Sequence, residues 1–574
     1  MKSVMRSMSY AVTTLTLMSS LLCAAQPAAA NRSDQSSGPS RKMQSSLRPI
    51  TPAEKALSIA QKSAKPRAVT SGIQTSSTQI FKAAITSSSG GQQTLGGATG
   101  DLNGDGKLDV VLASQCAPNN CSNGIVTVLL GNGDGTYQTP VTYVAGQGIQ
   151  SVALGDVNGD GKLDILAASS CNSDCSSGVV DVLLGNGDGT FQPAVAYNTG
   201  APSSKSLVVA DANGDGKLDV LVVARCTTSN SCSNSVLSVL LGNGDGTFQT
   251  AVTYVSAGAS PEGIAAADVN GDGKLDVAIA NQCASNSDCS SGTVSLFLGN
   301  GDGTFQNSVD LSSGAVYTDG IAIGDVNGDG HADLLVANRC NNSSNCTNGT
   351  VGVLLGNGDG TFQAATQYAS GGQDAQSLVL ADLNADGKLD VVVTNQCQSN
   401  SSCQFGGSAS VLLGNGDGTL QPATSYAYGS SSNEIEGPPS VTTVMLGDVN
   451  GDGKPDVLVT NSCSGGFLSC GNGSVSVLLS YGDGTLQAGV IYPTASWIPY
   501  GLATADVNGD GKPDMLVADE CGSNTNCTSG TVSVLLSNGD DLSTRKHLSF
   551  RRFVCTLDRL RGSERRRQGR YRRD

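Results

Sequence analysis

A chain of 574 residues with 74 glycines, 4% aromatic residues and a formal net charge of −16 is poorly suited to helices, because glycine in a helix interior costs about 1 kcal/mol relative to alanine. Short strands and turns fit this composition better. The acidic balance gives no footing for a nucleic-acid partner.

Residues 1–30 carry Lys2 and Arg6, then an apolar run through Leu22 and the small-residue end AAQPAAA. This reads as a signal peptide cut after Ala30, with no membrane span retained. Cys23 raises the question of lipid attachment, but Leu22 before it matches a lipobox poorly. Residues 31–78 are rich in Ser, Gln, Lys and Pro and read as a flexible polar linker.

From residue 79 to 540 one unit repeats. The nine residues DLNGDGKLD at Asp101–Asp109 recur eight times, starting at Asp101, Asp156, Asp211, Asp268, Asp325, Asp382, Asp448 and Asp506. A near-constant period of this length marks a repeat architecture. The second copy shows the parts of the unit. SVALGD (Ser151–Asp156) is a strand leading into the acidic loop, and LDILAASS (Leu163–Ser170) is the next strand. VVDVLLG (Val179–Gly185) is a third, GNGDGTF (Gly185–Phe191) a hairpin turn, and PAVAY (Pro193–Tyr197) a fourth strand. Four short strands per period describe a propeller blade, and blades must stack to bury their faces. A β-helix would normally have shorter rungs, and separate small domains of this size would be marginal. The expected fold class is therefore all-β, a β-propeller of four-stranded blades.

Within each acidic loop, oxygen side chains fall at positions 1, 3, 5 and 9, with glycine at position 6 and, in all copies but one, at position 4. Hard oxygen donors at this density suit Ca²⁺; the alternative is a set of acidic hairpin turns without metal. The DxNGDGxxD loops followed by GNGDGTF turns resemble the FG-GAP (VCBS-type) repeats of integrin-alpha-like β-propellers, over roughly residues 79–540. The resemblance implies that each loop joins the first two strands of a blade and binds a structural Ca²⁺, about one per repeat.

The implied ligands are four side chains and the backbone carbonyl of position 7. They are Asp101, Asn103, Asp105, Lys107 and Asp109 in the first copy, and Asp156, Asn158, Asp160, Lys162 and Asp164 in the second. Next come Asp211, Asn213, Asp215, Lys217 and Asp219, then Asp268, Asn270, Asp272, Lys274 and Asp276. The fifth and sixth sets are Asp325, Asn327, Asp329, His331 and Asp333, and Asp382, Asn384, Asp386, Lys388 and Asp390. The last two are Asp448, Asn450, Asp452, Lys454 and Asp456, and Asp506, Asn508, Asp510, Lys512 and Asp514. Ala385 at position 4, His331 at position 7, and Pro455 and Pro513 at position 8 depart from the pattern without removing a side-chain ligand. Residues 79–540 hold 43 Asp and Glu against 11 Lys and Arg, and 24 of those acids lie in the eight loops. Three carboxylates in one loop repel one another unless a cation intervenes.

Sixteen of the 18 cysteines form local pairs in step with the loops. Cys116 goes with Cys121, Cys171 with Cys175, Cys226 with Cys232, and Cys283 with Cys289. Likewise Cys340 goes with Cys346, Cys397 with Cys403, Cys463 with Cys470, and Cys521 with Cys527. In an exported chain these read as disulfides closing the loop between second and third strands. Zinc is the competing reading, but the spacings vary and histidine is nearly absent. Blade topology gathers the acidic loops and GNGDGTF turns on one face of the disc. The disulfide loops and blade-to-blade connections share the other face and vary most between copies, the longest being the stretch Gly429–Ser440. Varied loops on a rigid scaffold favour recognition. The expectation is a secreted or cell-surface monomer binding an extracellular protein or glycan.

A lectin or a polysaccharide-active enzyme is the alternative. Catalysis is disfavoured because His331 is the only histidine in the repeats and most acids recur identically, whereas an active site is a singular departure. Glu262, Glu434, Glu436 and Glu520 are exceptions, read as solvated loop acids. Tyr143, Tyr197, Tyr254 and Tyr368 recur at strand spacing and read as packing residues, and Trp497 is the single tryptophan.

Residues 541–574 become Arg-rich. Read one nucleotide out of frame, DLSTRKHLSF can encode TFQPANTYPS and GSERRRQGRYRRD can encode DLNGDGKVDIVV, both of which continue the repeat. The tail therefore reads as a frameshifted, non-native segment. QIFKAAITSS (Gln79–Ser88) resembles a fourth strand placed before the first loop, and can complete the eighth blade. Eight blades is the first choice, with seven, as in the integrin relatives, left open.

Overall fold

A computed structural model of the chain describes residues 80–538, apart from 119, 172–174, 229–231, 233, 343–345, 347, 399–406, 429–439, 463–472, 495 and 523–528. The expected signal peptide, linker, Arg-rich tail, Glu434 and Glu436 lie outside the described residues, as does nearly all of the long connection Gly429–Ser440.

Eight antiparallel four-stranded sheets form a ring, an eight-bladed β-propeller. Blade two runs Gln147–Gly155, Asp164–Cys171, Val179–Leu183 and Val195–Asn198, from the innermost strand to the outermost. The innermost strand starts earlier than its apolar pattern suggests, because the residues before Ser151 pair with the end of the second strand. Second and third strands are buried along most of their length because both faces of a blade are covered by neighbours, with a small or polar residue such as Thr127, Asp181 or Ser238 in the middle of the third strand. Val126, Val128 and Val111 of blade one pack with Val152, Ile165 and Ala167 of blade two, and an equivalent cluster fills every seam. Outermost strands meet solvent, leaving Val144, Val195 and Val255 exposed.

The eighth sheet comprises Trp497–Ala505, Asp514–Cys521, Thr531–Leu535 and, as its outermost strand, Ile85–Ser88. The expected closure by the chain's early residues is thus observed, and it selects eight blades over seven. Phe81 bridges Ser537, the Lys82 N–H donates to the Leu536 carbonyl (2.8 Å) and the Asn538 N–H to the Ile80 carbonyl (2.6 Å).

A tyrosine on the outermost strand commonly holds the next blade. The Tyr143 hydroxyl accepts from the Phe191 N–H (3.0 Å) and its ring meets the Phe191 ring edge-on at 5.8 Å. Tyr254 does the same to Phe305, and Tyr492 accepts from the Ile80 N–H beside Phe81. Tyr197 meets Phe248 edge-on, and Tyr368 packs in the seam between blades five and six. The recurring tyrosines are packing residues, as expected.

Each innermost strand carries a β-bulge where its register against the second strand slips, for example between Ser204 and Ser206, Pro261 and Gly263, and Thr318 and Gly320. The residue leading into the bulge is left-handed in seven blades, with φ of 56° at Gln93, 62° at Ser203, 56° at Ser260, 57° at Tyr317, 57° at Asp374 and 53° at Ile498, and with Gly148 in blade two. A bulge re-aims the extra side chain; here that residue is Lys205, Glu262 or Asp319, and all three are buried.

Candidate functional site

The acidic loop turns on its own carboxylates. Asp101 accepts from the Gly104 N–H (2.7 Å) through Oδ1 and from the Gly106 N–H (2.9 Å) through Oδ2. Asn103 Oδ1 accepts from the Asp105 N–H, and Asp105 Oδ1 from the Lys107 N–H, both at 2.9 Å. Gly106 has φ of 80° and open space where a Cβ would sit, so the backbone conformation and not crowding calls for glycine there. Ala385 shows that position 4 tolerates a side chain, at φ of 57°.

Position 9 behaves differently from the others. Asp109 is buried; its Oδ2 accepts from the Leu102 N–H (2.8 Å) and its Oδ1 from the Gly131 N–H (2.7 Å). Gly131 opens the turn between third and fourth strands, so this carboxylate stitches both loops of a blade together. The stitch recurs at Asp164, Asp219, Asp276, Asp333, Asp390, Asp456 and Asp514. Sequence reasoning saw only a ligand in it, because backbone donors leave no mark in the sequence. Burial pushes the Asp109 carboxyl up, and the charges of Asp105 and Asp101 push it further. Asp105 is exposed and held below the usual carboxylate range, chiefly by the Lys107 N–H, with the Lys107 ammonium 3.3 Å away.

Among the described residues no three acidic, histidine or cysteine side chains converge on one point as they stand, since the carboxylates are turned onto loop N–H groups. The donor set still fits a hard divalent cation. Carboxylate oxygens keep further lone pairs after accepting one hydrogen bond, and Asp105 is exposed on the loop. The mutual charge repulsion felt at position 9 is what a cation relieves.

On the opposite side, disulfides join Cys116 to Cys121, Cys171 to Cys175, Cys226 to Cys232, Cys283 to Cys289 and Cys340 to Cys346. Cys397 and Cys521 are also disulfide-bonded; their expected partners Cys403 and Cys527 lie outside the described residues. The expected bond between Cys463 and Cys470 lies outside them altogether, since both Cys463 and Cys470 fall in the stretch 463–472. Each such loop follows a second strand and so emerges on the face away from the acidic loops.

Near this face the repeat gives way to singular residues. Buried Lys205 contacts Glu262 and donates to the Pro261 carbonyl (3.0 Å), while Arg225 Nη2 lies 2.8 Å from Glu262 Oε1. Gln282 donates to Asp319 (2.9 Å), and Arg339 lies 3.0 Å from Asp319 and 2.7 Å from Asp374. These contacts bind blades three, four, five and six in succession. Burial lowers the Lys205 pKa against the pull of Glu262 and raises that of Asp319 against Arg339. Two expectations are corrected here. Glu262 is 4% exposed, and Glu520 is a half-buried strand residue beside Tyr500 with its carboxyl pushed by burial up to about 6, so neither is a solvated loop acid. The visible signal was a charge inside an apolar strand, as in SPEGIAAAD; the bulge that turns it inward was not visible.

Blade eight holds one more departure. Asn281, Asn338, Asn395 and Asn461 occupy one position near the end of the second strand, and Asn281 donates to Ser295 Oγ at 2.9 Å. Asp519 stands there in blade eight, fully buried, accepting from Ser533 Oγ at 2.6 Å, its carboxyl pushed by burial up to about 8. Because the folded pKa lies above the unfolded one, the stability of this group is complete below about pH 4 and is lost as pH rises toward about 8. Asp519→Asn removes that loss, so its advantage over the natural chain should grow with pH to on the order of 5 kcal/mol near pH 8. Melting curves at pH 5 and pH 8 check this; an equal difference at both would contradict it.

The FG-GAP-like repeat family matches the chain over residues 101–167, 168–222, 226–279, 283–336, 342–393, 401–459 and 466–517. No curated protein sequence matches it. Among solved structures, it is similar to an Agrocybe aegerita lectin described as recognising non-reducing terminal N-acetylglucosamine, at 21% identity and TM-score 0.39 over 69% of this chain and 94% of that one. It is also similar to the V. cholerae biofilm matrix protein Bap1, at 14% identity and TM-score 0.36 over 80% and 91% of the two chains.

Proposed function

The chain belongs to the FG-GAP-like repeat family, and from that membership we propose that it is an extracellular, calcium-stabilised binding module, not an enzyme, with recognition on the disulfide-loop face. The disulfides themselves suggest an extracellular protein. The contrast between the two faces carries the reading. One face repeats the same nine-residue loop in every blade, stitched down by its ninth residue, and so serves the scaffold. The other presents loops that differ between blades, disulfide-closed wherever both cysteines are described, next to the non-repeating residues Lys205, Arg225, Glu262, Asp319 and Arg339.

Bound Ca²⁺ would offset the crowded carboxylates at positions 1, 5 and 9 of each loop. The chain's own contribution is to hold those oxygens on one turn and lock the turn to its blade. Each site with free Ca²⁺ at about ten times its dissociation constant adds ~1.4 kcal/mol by mass action. EGTA should therefore lower the melting temperature by several degrees or more, and an unchanged melt would remove calcium from the reading. For recognition, the loop from Cys283 to Cys289 can be exchanged for that from Cys171 to Cys175, followed by probing on arrays of glycans and extracellular proteins. Loss of a binding signal with an unchanged melt supports the assignment. A signal that survives loop exchange but disappears on substituting exposed acidic-loop residues places recognition on the other face.

A further inference from the structure

We infer that the ring opens at one place, the seam between blades eight and one, with residues 80–88 acting as a releasable clasp. Three independent observations meet at this seam. First, the position on the outermost strand that holds the next blade is tyrosine in six blades and Leu311 in blade four; in the strand that completes blade eight it is Ser87, which pairs with Val532 as Tyr197 pairs with Val180. Ser87 is too short to reach the next turn. Second, that turn carries Tyr137 where the others carry Phe or Leu, and its hydroxyl is buried without a hydrogen-bond partner. The seam thus lacks a latch and strands a polar atom, a combination that disfavours the closed state.

Third, Gly97 stands where each of the seven other innermost strands places Val, Leu or Ile, four residues before its acidic loop. A cavity of about 30 Å³ lies here between the innermost strands, lined by Gly96, Gly97, Gly501, Leu502 and Leu516. A Cβ at Gly97 would come within 2.8 Å of the Val111 carbonyl oxygen, so blade one has settled into a shape that leaves the gap unfilled. The seam is held instead by its apolar cluster, Val110, Leu112 and Leu129 against Leu516, Val532 and Val534, by the Gly530 N–H donating to the Gly91 carbonyl (2.6 Å) and the Ser89 N–H to the Gly530 carbonyl (3.0 Å), and by the four-residue strand pairing of Ile85–Ser88 with Thr531–Leu535. Residues 89–91 tie the clasp to blade one, so opening peels Ile85–Ser88 from Thr531–Leu535 and parts the two blades in one motion.

Hydrogen exchange followed by mass spectrometry on the whole chain tests this. Residues 85–88, 92–100 and 531–535 should exchange faster than their counterparts 252–255, 259–267 and 236–240. The double variant Ser87→Tyr/Tyr137→Phe copies the arrangement of Tyr143 over Phe191, and should slow exchange at the first three segments by roughly tenfold while leaving the counterparts unchanged. Exchange at 531–535 as slow as at 236–240 in the natural chain overturns the inference. So does a folded double variant with unaltered rates; if that variant does not fold, the natural chain's pattern decides alone.

Discussion

Replacing Asp276 by alanine is expected to destabilise the ring by about 3–5 kcal/mol, most of it persisting in EGTA. Asp276 is fully buried in blade four, its Oδ2 accepting from the Val269 N–H (3.0 Å) and its Oδ1 from the Gly299 N–H (2.7 Å). Alanine would take the acceptor from two backbone N–H donors at a buried position. A residue acting only as a calcium ligand behaves otherwise, since its loss disappears once the metal is chelated. Asp272 provides the contrast: it is exposed at the tip of the same loop, 3.1 Å from the Lys274 ammonium, and its alanine variant should matter chiefly when calcium is present. Melting temperatures of both variants, with calcium and with EGTA, separate the two roles. A loss at Asp276 that vanishes on chelation would show that the buried stitch contributes little.

Deleting residues 80–88 is the second large perturbation. It removes Phe81, which is 1% exposed, and bares the whole edge of Thr531–Leu535. Loss of a buried phenylalanine alone costs about 3–5 kcal/mol, and an unpaired edge beside Val532 and Val534 is a template for association with other chains. The shortened chain should melt at least 10 °C lower, as a rough expectation from these terms, and should run as oligomers or aggregate in light scattering. Placing the same nine residues after Asn538 should restore the monomer. A monodisperse deletion variant with an unchanged melt would mean that blade eight needs no fourth strand.

The blade count, the strand order and the closing strand were legible because each follows from periodicity or from likeness between segments of one chain. QIFKAAITSS aligns with TFQPAVAYN closely enough that Phe81 takes the place of Phe191. The disulfide pairing was legible for the same reason wherever both partners are described, since cysteines keep step with the loops. Position 9 was only half legible: the carboxylate was visible, but its partners are main-chain N–H groups that every residue possesses. Lys205, Glu262 and Asp319 were harder still. A bulge breaks the alternation by which strand faces are read, and all three occupy the inserted position. Asp519 carried a usable signal, an acid among aligned asparagines, whose meaning depends on burial.

The pairing of Ile85–Ser88 with Thr531–Leu535 also sets a timetable. Blades one to seven can assemble from neighbouring residues as the chain is synthesised, each strand finding its partner soon after it emerges. The strand that completes the ring is made before any of them and has no partner until the last blade exists. Closure is thus one late, long-range event whose entropy cost grows with the length of intervening chain. A translation product that stops short within blade eight would contain seven finished blades and still present an unpaired strand at its start, which makes the synthesis of Trp497–Leu535 the interval in which this protein is most exposed to misassembly.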